Sequence, residues 1–513
     1  MKFRKAILAI SIATLALTTA CNSKDESLPT IKSFLPTQED AIQIVDMIDS
    51  VELADMTTED EIEQIYLAYC NLDEDAKGFV TNYEKLVEYR NQITQLYHTE
   101  DKQDSRMDRS KINIGTYCFN PQCWNDEGVQ ALAACGIDFI ANASYNEELL
   151  SLLDKYEVGA FVSGAVPGWY TGGTDIGNVG MASTYNPISS YESALATFVD
   201  RDCIWGIDIG DEPWIEDLPH FGDVIDYLHE KVPGKVIYLN LLPIFNELPT
   251  PKLLENYVNY VDTDYICYDN YTYNNYMHDK NNNRKGFMTT LLSNLQYAAN
   301  ICRESNRDLW IVVQSSVLGD TPLKEDHLRS IASATLIFGT RTFSWACWTA
   351  GWYENHIADS QGNLTETYYE LQKVNNETHN LSPIYSRYKS IDAGYITINP
   401  ELIGTPNVPN IKKLDVDSLK NCPIQTITAT SNSQIIAGYF EKREGAGSAV
   451  MFANLTDIIG EETPPAFIEF TVKNPESKVL AYYNGEAYEP EHLGNGQYRI
   501  KIENSDNIFV TID

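Results

Sequence analysis

The stretch Ile204–Pro213 reads IWGIDIGDEP, an apolar run that ends in two adjacent carboxylates and a proline. A short run rich in isoleucine predicts a buried strand, and Pro213 lacks the N–H needed to continue strand pairing. Seven similar runs lie between residues 111 and 390, and amphipathic stretches typical of helices separate them. Eight strand–helix units in about 280 residues predict an α/β fold, a (β/α)8 TIM barrel. The other seven runs are 112–117, 137–143, 158–165, 236–241, 265–271, 309–315 and 342–348.

Different periodicities flank the predicted barrel. Between residues 39 and 105, apolar residues recur at helical spacing in three segments, which predicts a helical bundle. Between residues 391 and 513, short alternating runs are divided by Gly, Asn and Pro, which predicts an antiparallel β-sandwich. We interpret this sandwich as a stabilising cap, with a carbohydrate-binding module as the alternative. Residues 21–38 are polar and are interpreted as a tether.

The N-terminal segment has the pattern of an export signal. Basic side chains lie within the first five residues, an apolar run follows over 6–17, and small residues precede Cys21, so residues 1–20 are interpreted as a signal peptide. The cysteine after the small residues resembles a bacterial lipobox, and the Lys-Asp-Glu at 24–26 resembles acidic signals that send Gram-negative lipoproteins to the cell surface. The resemblance implies a protein anchored in the outer membrane through lipid on Cys21 and facing the exterior. Plain secretion is the alternative.

Charge and cysteine usage restrict the possible partners. The 513 residues include 73 acidic and 37 basic side chains, a net charge of −36, and such a surface repels nucleic acid. Nine cysteines remain apart from Cys21, an odd and scattered set that predicts buried thiols rather than a disulfide framework. The histidines are isolated, and glycine-rich phosphate loops and Gly-x-Ser-x-Gly elbows are absent from the sequence. We therefore expect neither a metal site nor a cofactor.

The adjacent Asp211 and Glu212 are the first candidate site residues, because the active sites of (β/α)8 barrels lie at the carboxyl ends of the strands. The segment resembles the strand-four end of the clan A glycoside hydrolases, in which a glutamate before or near a proline is the general acid. That family usually has Asn-Glu where this chain has Asp-Glu. The resemblance implies that Glu212 protonates a glycosidic oxygen, and the charge of Asp211 should raise the pKa of Glu212. An exposed acidic turn is the alternative interpretation of the pair.

A second carboxylate is required, since one group must protonate the leaving oxygen while another attacks the sugar or activates water. Retaining members of the clan carry a nucleophilic glutamate at strand seven, where this chain has Gln314, whose amide cannot form a glycosyl ester. Asp269, at the end of the sixth run, is predicted to be the base of an inverting mechanism with carboxyls roughly 6.5–9.5 Å apart. Gln314 would then orient water or a sugar hydroxyl, and a structural partner for a backbone amide is the alternative for Asp269. Asp208 is a further candidate for the second carboxylate, and strict alternation along the strand places it on the same side as Gly210 and Glu212.

Aromatic residues near strand ends are candidates for sugar contacts, because the apolar faces of sugars stack on rings. The run 343–353 resembles the aromatic strand-eight end that floors the subsite of the same clan. The resemblance implies Trp348 as the stacking platform and Trp352 as a rim residue, and burial in the core is the alternative for each. Further candidates for substrate binding are Tyr117, Asn240 and Tyr271.

The leading hypothesis is a surface-exposed glycoside hydrolase that cleaves O-glycosidic bonds of a neutral or weakly charged extracellular glycan. The alternative is a non-catalytic glycan-binding lipoprotein with a degenerate site, in which Gln314 marks the lost nucleophile. An enzyme that retains configuration through Asp208, Asp269 or another carboxylate is a third possibility. In each case we expect a monomer whose partners are an oligo- or polysaccharide and, through the lipid, a membrane.

Overall fold

The computed structural model describes residues 38–99, 106–168, 185–242, 252–273, 287–316, 322–349, 354–398, 411–430, 433–457 and 463–513, without side chains at 287–289. Cys21, Trp352, the predicted signal peptide and most of the predicted tether lie outside these residues. Within the described segments no helix is long and apolar enough to cross a membrane.

Helices precede the barrel, at the positions where helical spacing is found in the sequence. Ile44 and Ile48 of the first helix, and Ile62 and Ile65 of the second, are buried on one face each, as expected for residues three or four positions apart. The described elements here are α1 (Gln38–Ser50), α2 (Glu59–Cys70), the short α3 (Glu74–Lys77) and α4 (Tyr83–Leu96).

Parallel strands form the centre of the molecule. They are β1 (Asn113–Thr116), β2 (Phe139–Ser144), β3 (Gly159–Ser163), β4 (Ile204–Asp211), β5 (Val236–Asn240), β6 (Tyr265–Asn270), β7 (Asp308–Gln314) and β8 (Thr342–Ala346). Their order in the sheet is β5-β4-β3-β2-β1-β8-β7-β6. Leu241 joins the two outer strands, because its amide donates to Cys267 O (2.9 Å) and its carbonyl accepts from Asp269 N (3.2 Å). The sheet is therefore a closed barrel, and the predicted (β/α)8 fold is confirmed.

Helices connect the strands and cover their outer surface. Asn146 shows why one of them begins where it does, since its side chain accepts hydrogen bonds from the amides of Glu148 and Leu149. The described helices are α5 (Asp126–Ala134), α6 (Glu147–Tyr156), α7 (Ile188–Leu195), α8 (Leu218–Lys231), α9 (Leu253–Tyr260), α10 (Ser293–Ser305, preceded by a π-helical segment), α11 (Glu325–Ile337) and α12 (Glu366–Tyr385).

Alternate strand residues face the barrel axis and fill it with aromatic rings. Tyr265 and Trp310 stack with ring centroids 4.1 Å apart, and the rings of Phe161 and Tyr238 lie 5.0 Å apart. All four side chains are buried. The barrel is a packed core rather than a pore, so a ligand has access only to its two ends.

Two antiparallel sheets follow the barrel, and the predicted β-sandwich is confirmed. One sheet has the order β15-β14-β18-β12-β11-β9 and the other β10-β13-β17-β16. The strands are β9 (Tyr388–Thr397), β10 (Ile424–Ala429), β11 (Ile435–Lys442), β12 (Ser448–Asn454), β13 (Ala466–Val472), β14 (Val479–Tyr483), β15 (Glu486–Tyr488), β16 (Glu491–Gly494), β17 (Gln497–Ile502) and β18 (Asn507–Ile512).

A buried ion-pair network joins the N-terminal helices to the rest of the molecule. Arg387, between α12 and β9, is fully buried and contacts Glu59 Oε1 (3.0 Å) and Glu63 Oε1 (2.9 Å) of α2. Arg90 of α4 pairs with Glu63 (3.0 Å), and Lys442 of β11 pairs with Glu59 (3.0 Å). Burial alone would raise the pKa of Glu63, but Arg90 and Arg387 more than offset it and lower that pKa to about 2.

We predict that Arg387→Met destabilises the protein by about 3–5 kcal/mol, because two buried carboxylates then lose a counter-charge that they share. Urea unfolding of the variant and the wild type measures this loss. Arg499→Met is the matched control, since Arg499 pairs with Glu469 on a partly exposed sandwich surface, and its unfolding midpoint should stay close to that of the wild type. Equal midpoints for all three proteins would contradict a structural role for the network.

Candidate active site

A β-bulge near the end of β4 decides which carboxylates face the barrel mouth. Asp208 pairs with Tyr238 of β5, and Gly210 pairs with Leu239. Two residues along β4 therefore correspond to one residue along β5. The extra residue reverses the alternation of side chains beyond it. Asp208 and Asp211 therefore share the inward face, and the expectation that strict alternation pairs Asp208 with Gly210 and Glu212 is wrong.

Glu212 directly follows the bulged strand in an uncommon backbone conformation. Its φ of 48° lies in the left-handed region, which costs a residue with a Cβ about 1–2 kcal/mol. The Glu212 amide donates to Asn240 O (2.9 Å), which holds this turn against β5. The side chain is half-buried, and its carboxyl makes no hydrogen bond to any described residue. Strain of this kind is found disproportionately at functional sites.

The side-chain amide of Asn240 connects the carboxylates of β4 and β6. Its Nδ2 donates to Asp211 Oδ1 at 2.9 Å and lies 3.4 Å from Asp269 Oδ1. The two carboxylate oxygens can be no further apart than the sum of these distances, so residues from the fourth and sixth strands meet above the fifth. Asn240 and Asp269 are almost fully buried, at 3% and 2% exposure, while Asp211 is open to the mouth.

Hydrogen-bonded groups beneath Asn240 determine the direction of its amide. Cys267 Sγ donates to Asn240 Oδ1 (3.6 Å), which leaves the amide nitrogen for the carboxylates. Tyr238 Oη lies 3.3 Å from the same sulfur and 2.6 Å from Tyr117 Oη. Tyr238 and Cys267 are not among the site residues predicted from the sequence. Each lies two positions before a predicted site residue on its strand, so a period of two would have placed it on the same face.

Burial raises the pKa values of all four carboxyls at the mouth, and the charge of Asp211 adds to this for the other three. Burial, and then the charge of Asp211, raises the pKa of Asp208 well above its ordinary value. Burial, and then the charges of Glu212 and Asp211, does the same for Asp269. The barrel walls also raise the pKa of Asp211 by displacing water, although the Asn240 hydrogen bond opposes this.

Glu212 has the pKa best placed for proton transfer near neutral pH. Burial, followed by the charge of Asp211, raises the pKa of the Glu212 carboxyl to about 7. A group whose pKa lies near the working pH both holds and releases a proton readily. The predicted effect of Asp211 on Glu212 is present, and it adds to the larger effect of burial.

Gln314 is not available to a ligand, contrary to the prediction that it orients water or a sugar hydroxyl. It has 0% exposure, its Oε1 accepts from Tyr273 N (2.7 Å), and its Nε2 donates to Ser316 O (2.8 Å). The amide thus holds the backbone that follows β6 and β7. A neutral group with one donor side and one acceptor side suits this task.

Trp348 does not reach the mouth, and its predicted role as a stacking platform is wrong. It is 1% exposed and packs against Phe119 and Tyr368, with ring centroids 5.9 and 6.1 Å away. A sugar needs an open ring face, and this indole has none. Tyr117 is buried in the hydrogen-bonded group below Asn240, whereas Tyr271, at the end of β6, is half-buried.

Tyr271 lies close enough to the carboxyls for their charge to act on it. Its pKa is raised well above the ordinary value by burial and then by the charge of Asp269. In the described part of the chain, no group of three or more His, Cys, Asp or Glu side chains could hold a metal ion. The site thus offers carboxyl, amide and phenol groups for chemistry.

Solved structures similar to this chain are glycoside hydrolases of low sequence identity. A family 30 subfamily 8 xylanase from Clostridium acetobutylicum is 13% identical, with 79% of this chain and 96% of that chain covered and a TM-score of 0.40. A family 39 glycoside hydrolase from the gut symbiont Bacteroides cellulosilyticus is 10% identical, with 78% and 81% covered and a TM-score of 0.43. An endo-β-1,4-mannanase from Thermotoga petrophila is 8% identical, with 79% and 94% covered and a TM-score of 0.39.

No protein-family model and no curated protein matches the sequence of this chain. The barrel is established by the order and closure of its own strands, which do not depend on these likenesses. Likenesses with TM-scores this low carry no inference about the fold or the activity of this chain.

Proposed function

We propose that the protein is a glycoside hydrolase that cleaves O-glycosidic bonds of an extracellular glycan, with Glu212 as the proton donor. The observation that carries the proposal is the environment of the Glu212 carboxyl. It is half-buried at the carboxyl end of a barrel strand, lacks a hydrogen-bond donor among the described residues, and has a pKa of about 7. Its carboxylate neighbours Asp211 and Asp269, by contrast, each accept a hydrogen bond from Nδ2 of Asn240.

Asn240 acts on two of the carboxyls and not on Glu212. A hydrogen bond from an amide favours the ionised form of a carboxyl, so Asn240 opposes the rise that burial causes in the pKa values of Asp211 and Asp269. When Glu212 is protonated, one of the charges that oppose ionisation of Asp269 disappears. Protonation of one group therefore favours ionisation of the other, as a matched acid and base require.

The proposed reaction divides between these two groups. Glu212 transfers its proton to the glycosidic oxygen, the bond from that oxygen to the anomeric carbon breaks, and its electron pair remains on the leaving oxygen. Water adds to the anomeric carbon while Asp269 accepts a proton from it, which completes hydrolysis. Release of that proton to solvent and uptake of one by Glu212 restore the starting state.

Charge in the mouth restricts the substrate. Four carboxyls, from Asp208, Asp211, Glu212 and Asp269, lie within a small region and repel anionic sugars. Asp211, which is open to the mouth, can accept hydrogen bonds from sugar hydroxyls, and Tyr271 offers a phenol edge at the same end. A neutral or weakly charged glycan fits this site best.

The N-terminal sequence supports a location for this activity. The basic start, the apolar run and the small residues before Cys21 support export and lipidation, so that the enzyme acts at the outer face of the outer membrane. A glycan outside the cell would be within its reach.

Glycan binding without hydrolysis is the second candidate function, and Gln314 is the observation that favours it. The position at the end of β7 carries a buried amide bonded to the backbone on both sides, so it supplies neither nucleophile nor base. A protein of this kind would bind oligosaccharides without cleaving them.

We predict that Glu212→Gln lowers the turnover of any hydrolysed oligosaccharide by about 10²–10⁴-fold, because the amide cannot donate the required proton. Binding of the same oligosaccharide, measured by calorimetry, should survive. Glu216→Gln is the matched control, since Glu216 is an exposed glutamate four residues away, and it should turn over like the wild type. A wild type that binds but cleaves nothing in a panel of neutral oligosaccharides would establish the binding function instead.

The pH dependence of turnover should report the proton on Glu212. We expect the rate to fall as the pH rises through about 7, because Glu212 must be protonated to act. Asp211→Asn removes a neighbouring charge, so this alkaline limb should move to lower pH, although burial keeps it above the ordinary value for glutamate. An alkaline limb at the same pH in both proteins would contradict the proposed coupling.

We predict that Asn240→Leu moves the acidic limb of the same profile to higher pH. The variant removes the amide nitrogen that donates to both Asp211 and Asp269, so both carboxyls hold their protons more strongly. Turnover at the optimum should fall by about tenfold or more, the effect expected when hydrogen bonds to charged groups are lost. Asn259→Leu, on the exposed part of α9, is the control. An unchanged acidic limb would show that Asn240 does not support the base.

A further inference from the structure

A cavity lies at the opposite end of the barrel from Glu212. It has a volume of about 280 Å³ and lies where the amino ends of β6, β7 and β8 meet the end of α10, the start of β9 and the end of β11. Its basic lining residues are Arg109, Arg303, Arg307, Arg341, Lys389 and Arg443. Nothing in the proposed hydrolysis uses this cavity.

The charge of the lining is the reverse of the charge of the chain. The whole sequence has 73 acidic and 37 basic residues, yet the lining combines those six cations with only two carboxylates, Asp264 and Asp308. Concentrating like charges in a partly enclosed space costs free energy unless an opposite charge is present. A cluster of this kind in so acidic a protein therefore requires an explanation.

Both carboxylates are already used by two of the cations. Arg109 Nη2 donates to Asp264 Oδ1 (3.1 Å), and Arg341 Nη2 donates to Asp308 Oδ1 and Oδ2 (3.1 and 3.3 Å). The Nε of Arg109 is buried and finds no acceptor among the described residues. One guanidinium N–H of the cluster thus lacks an acceptor among the described residues.

Arg303 and Lys389 are held mainly by neutral groups. Arg303 donates to Asn300 Oδ1 (2.6 Å) and Ser390 Oγ (3.2 Å), and Lys389 donates to Asn306 Oδ1 (2.9 Å). Asp392 Oδ1 lies 4.0 Å from Arg303 Nη2 but only 2.6 Å from Lys412 Nζ, so its closer partner is Lys412. Neutral oxygens orient a cation without neutralising it, so the excess positive charge remains.

We propose that this cavity binds a small polyvalent oxyanion of the phosphate or sulfate class. Guanidinium groups match the geometry of such oxygens and bind them in pairs of hydrogen bonds, and an ammonium group adds a point charge. The volume holds an oxyanion with a few waters and is below the usual range for larger organic ligands. The anion would join Arg303 of α10 to Lys389 of β9 and so stabilise the junction of barrel and sandwich.

Calorimetric titration of the whole protein with sodium phosphate and, separately, sodium sulfate tests this proposal, with sodium chloride at matched ionic strength as the reference. We expect one saturable site per chain for at least one of the two oxyanions and none for chloride. The oxyanion that binds with the higher affinity, phosphate or sulfate, is the preferred ligand. Absence of saturable binding by either oxyanion at millimolar concentration would overturn the proposal and leave the cluster as a purely structural one.

Variants locate the site. Arg303→Gln and Lys389→Gln should each weaken oxyanion binding by about tenfold or more, because each removes a charged donor. Lys389 is exposed and bonds only Asn306 among the residues described, so its variant should fold even if Arg303→Gln does not, and circular dichroism checks both. Arg499→Gln, on the sandwich, is the control and should bind like the wild type. Unchanged affinity in folded Lys389→Gln and Arg303→Gln would overturn the assignment.

The proposal stands apart from the hydrolase function, and one variant separates the two. Glu212→Gln lies at the other end of the barrel and should bind the oxyanion with the affinity of the wild type. Loss of oxyanion binding in that variant would contradict the placement of the anion site in this cavity.

Discussion

One amide nitrogen, Nδ2 of Asn240, governs the arrangement of charge at the barrel mouth. Two carboxylates from strands that are not neighbours approach it, and their mutual repulsion would separate them without a shared donor. The thiol of Cys267 fixes the direction of that amide from below. Glu212 receives no such donor from the described residues, so no hydrogen bond opposes the rise that burial and the charge of Asp211 cause in its pKa. The hydrogen bonds from Asn240 thus distinguish Asp211 and Asp269 from Glu212.

The fold supplies this arrangement through two constraints. The bulge in β4 turns Asp211 inward and leaves Glu212 in a left-handed turn held by the backbone of Asn240. The aromatic rings packed inside the barrel close it from below. The carboxyls therefore lie above a packed core and not above a water-filled channel. Burial is accordingly the first cause of the raised pKa of each of these carboxyls. At the opposite end of the barrel, the lining of one cavity is mainly basic.

Much of the fold could be predicted from the sequence, because each strand is a compact apolar run and each strand end carries its polar residues in order. The position of Glu212 at the end of β4 and of Asp269 at the end of β6 required no more than this. The bulge could not be predicted, since an extra residue in a strand depends on pairing with β5. The burial of Trp348 and Gln314 could not be predicted either, because it depends on α12 and on the backbone after β6 and β7. Sequence patterns identify which residues are near a strand end, whereas tertiary contacts decide which of them face the opening.

The protonation state of Glu212 is the central claim, and it can be observed without any substrate. Carbon NMR of the protein labelled at glutamate side-chain carboxyls, titrated with pH, follows each carboxyl directly, and Glu212→Gln assigns the resonance by its disappearance. The account predicts that this carboxyl titrates at about pH 7, well above the ordinary value of about 4.3 for glutamate. Titration of the assigned resonance near the ordinary value would show a carboxylate that is already ionised at neutral pH, and Glu212 could not then be the proton donor.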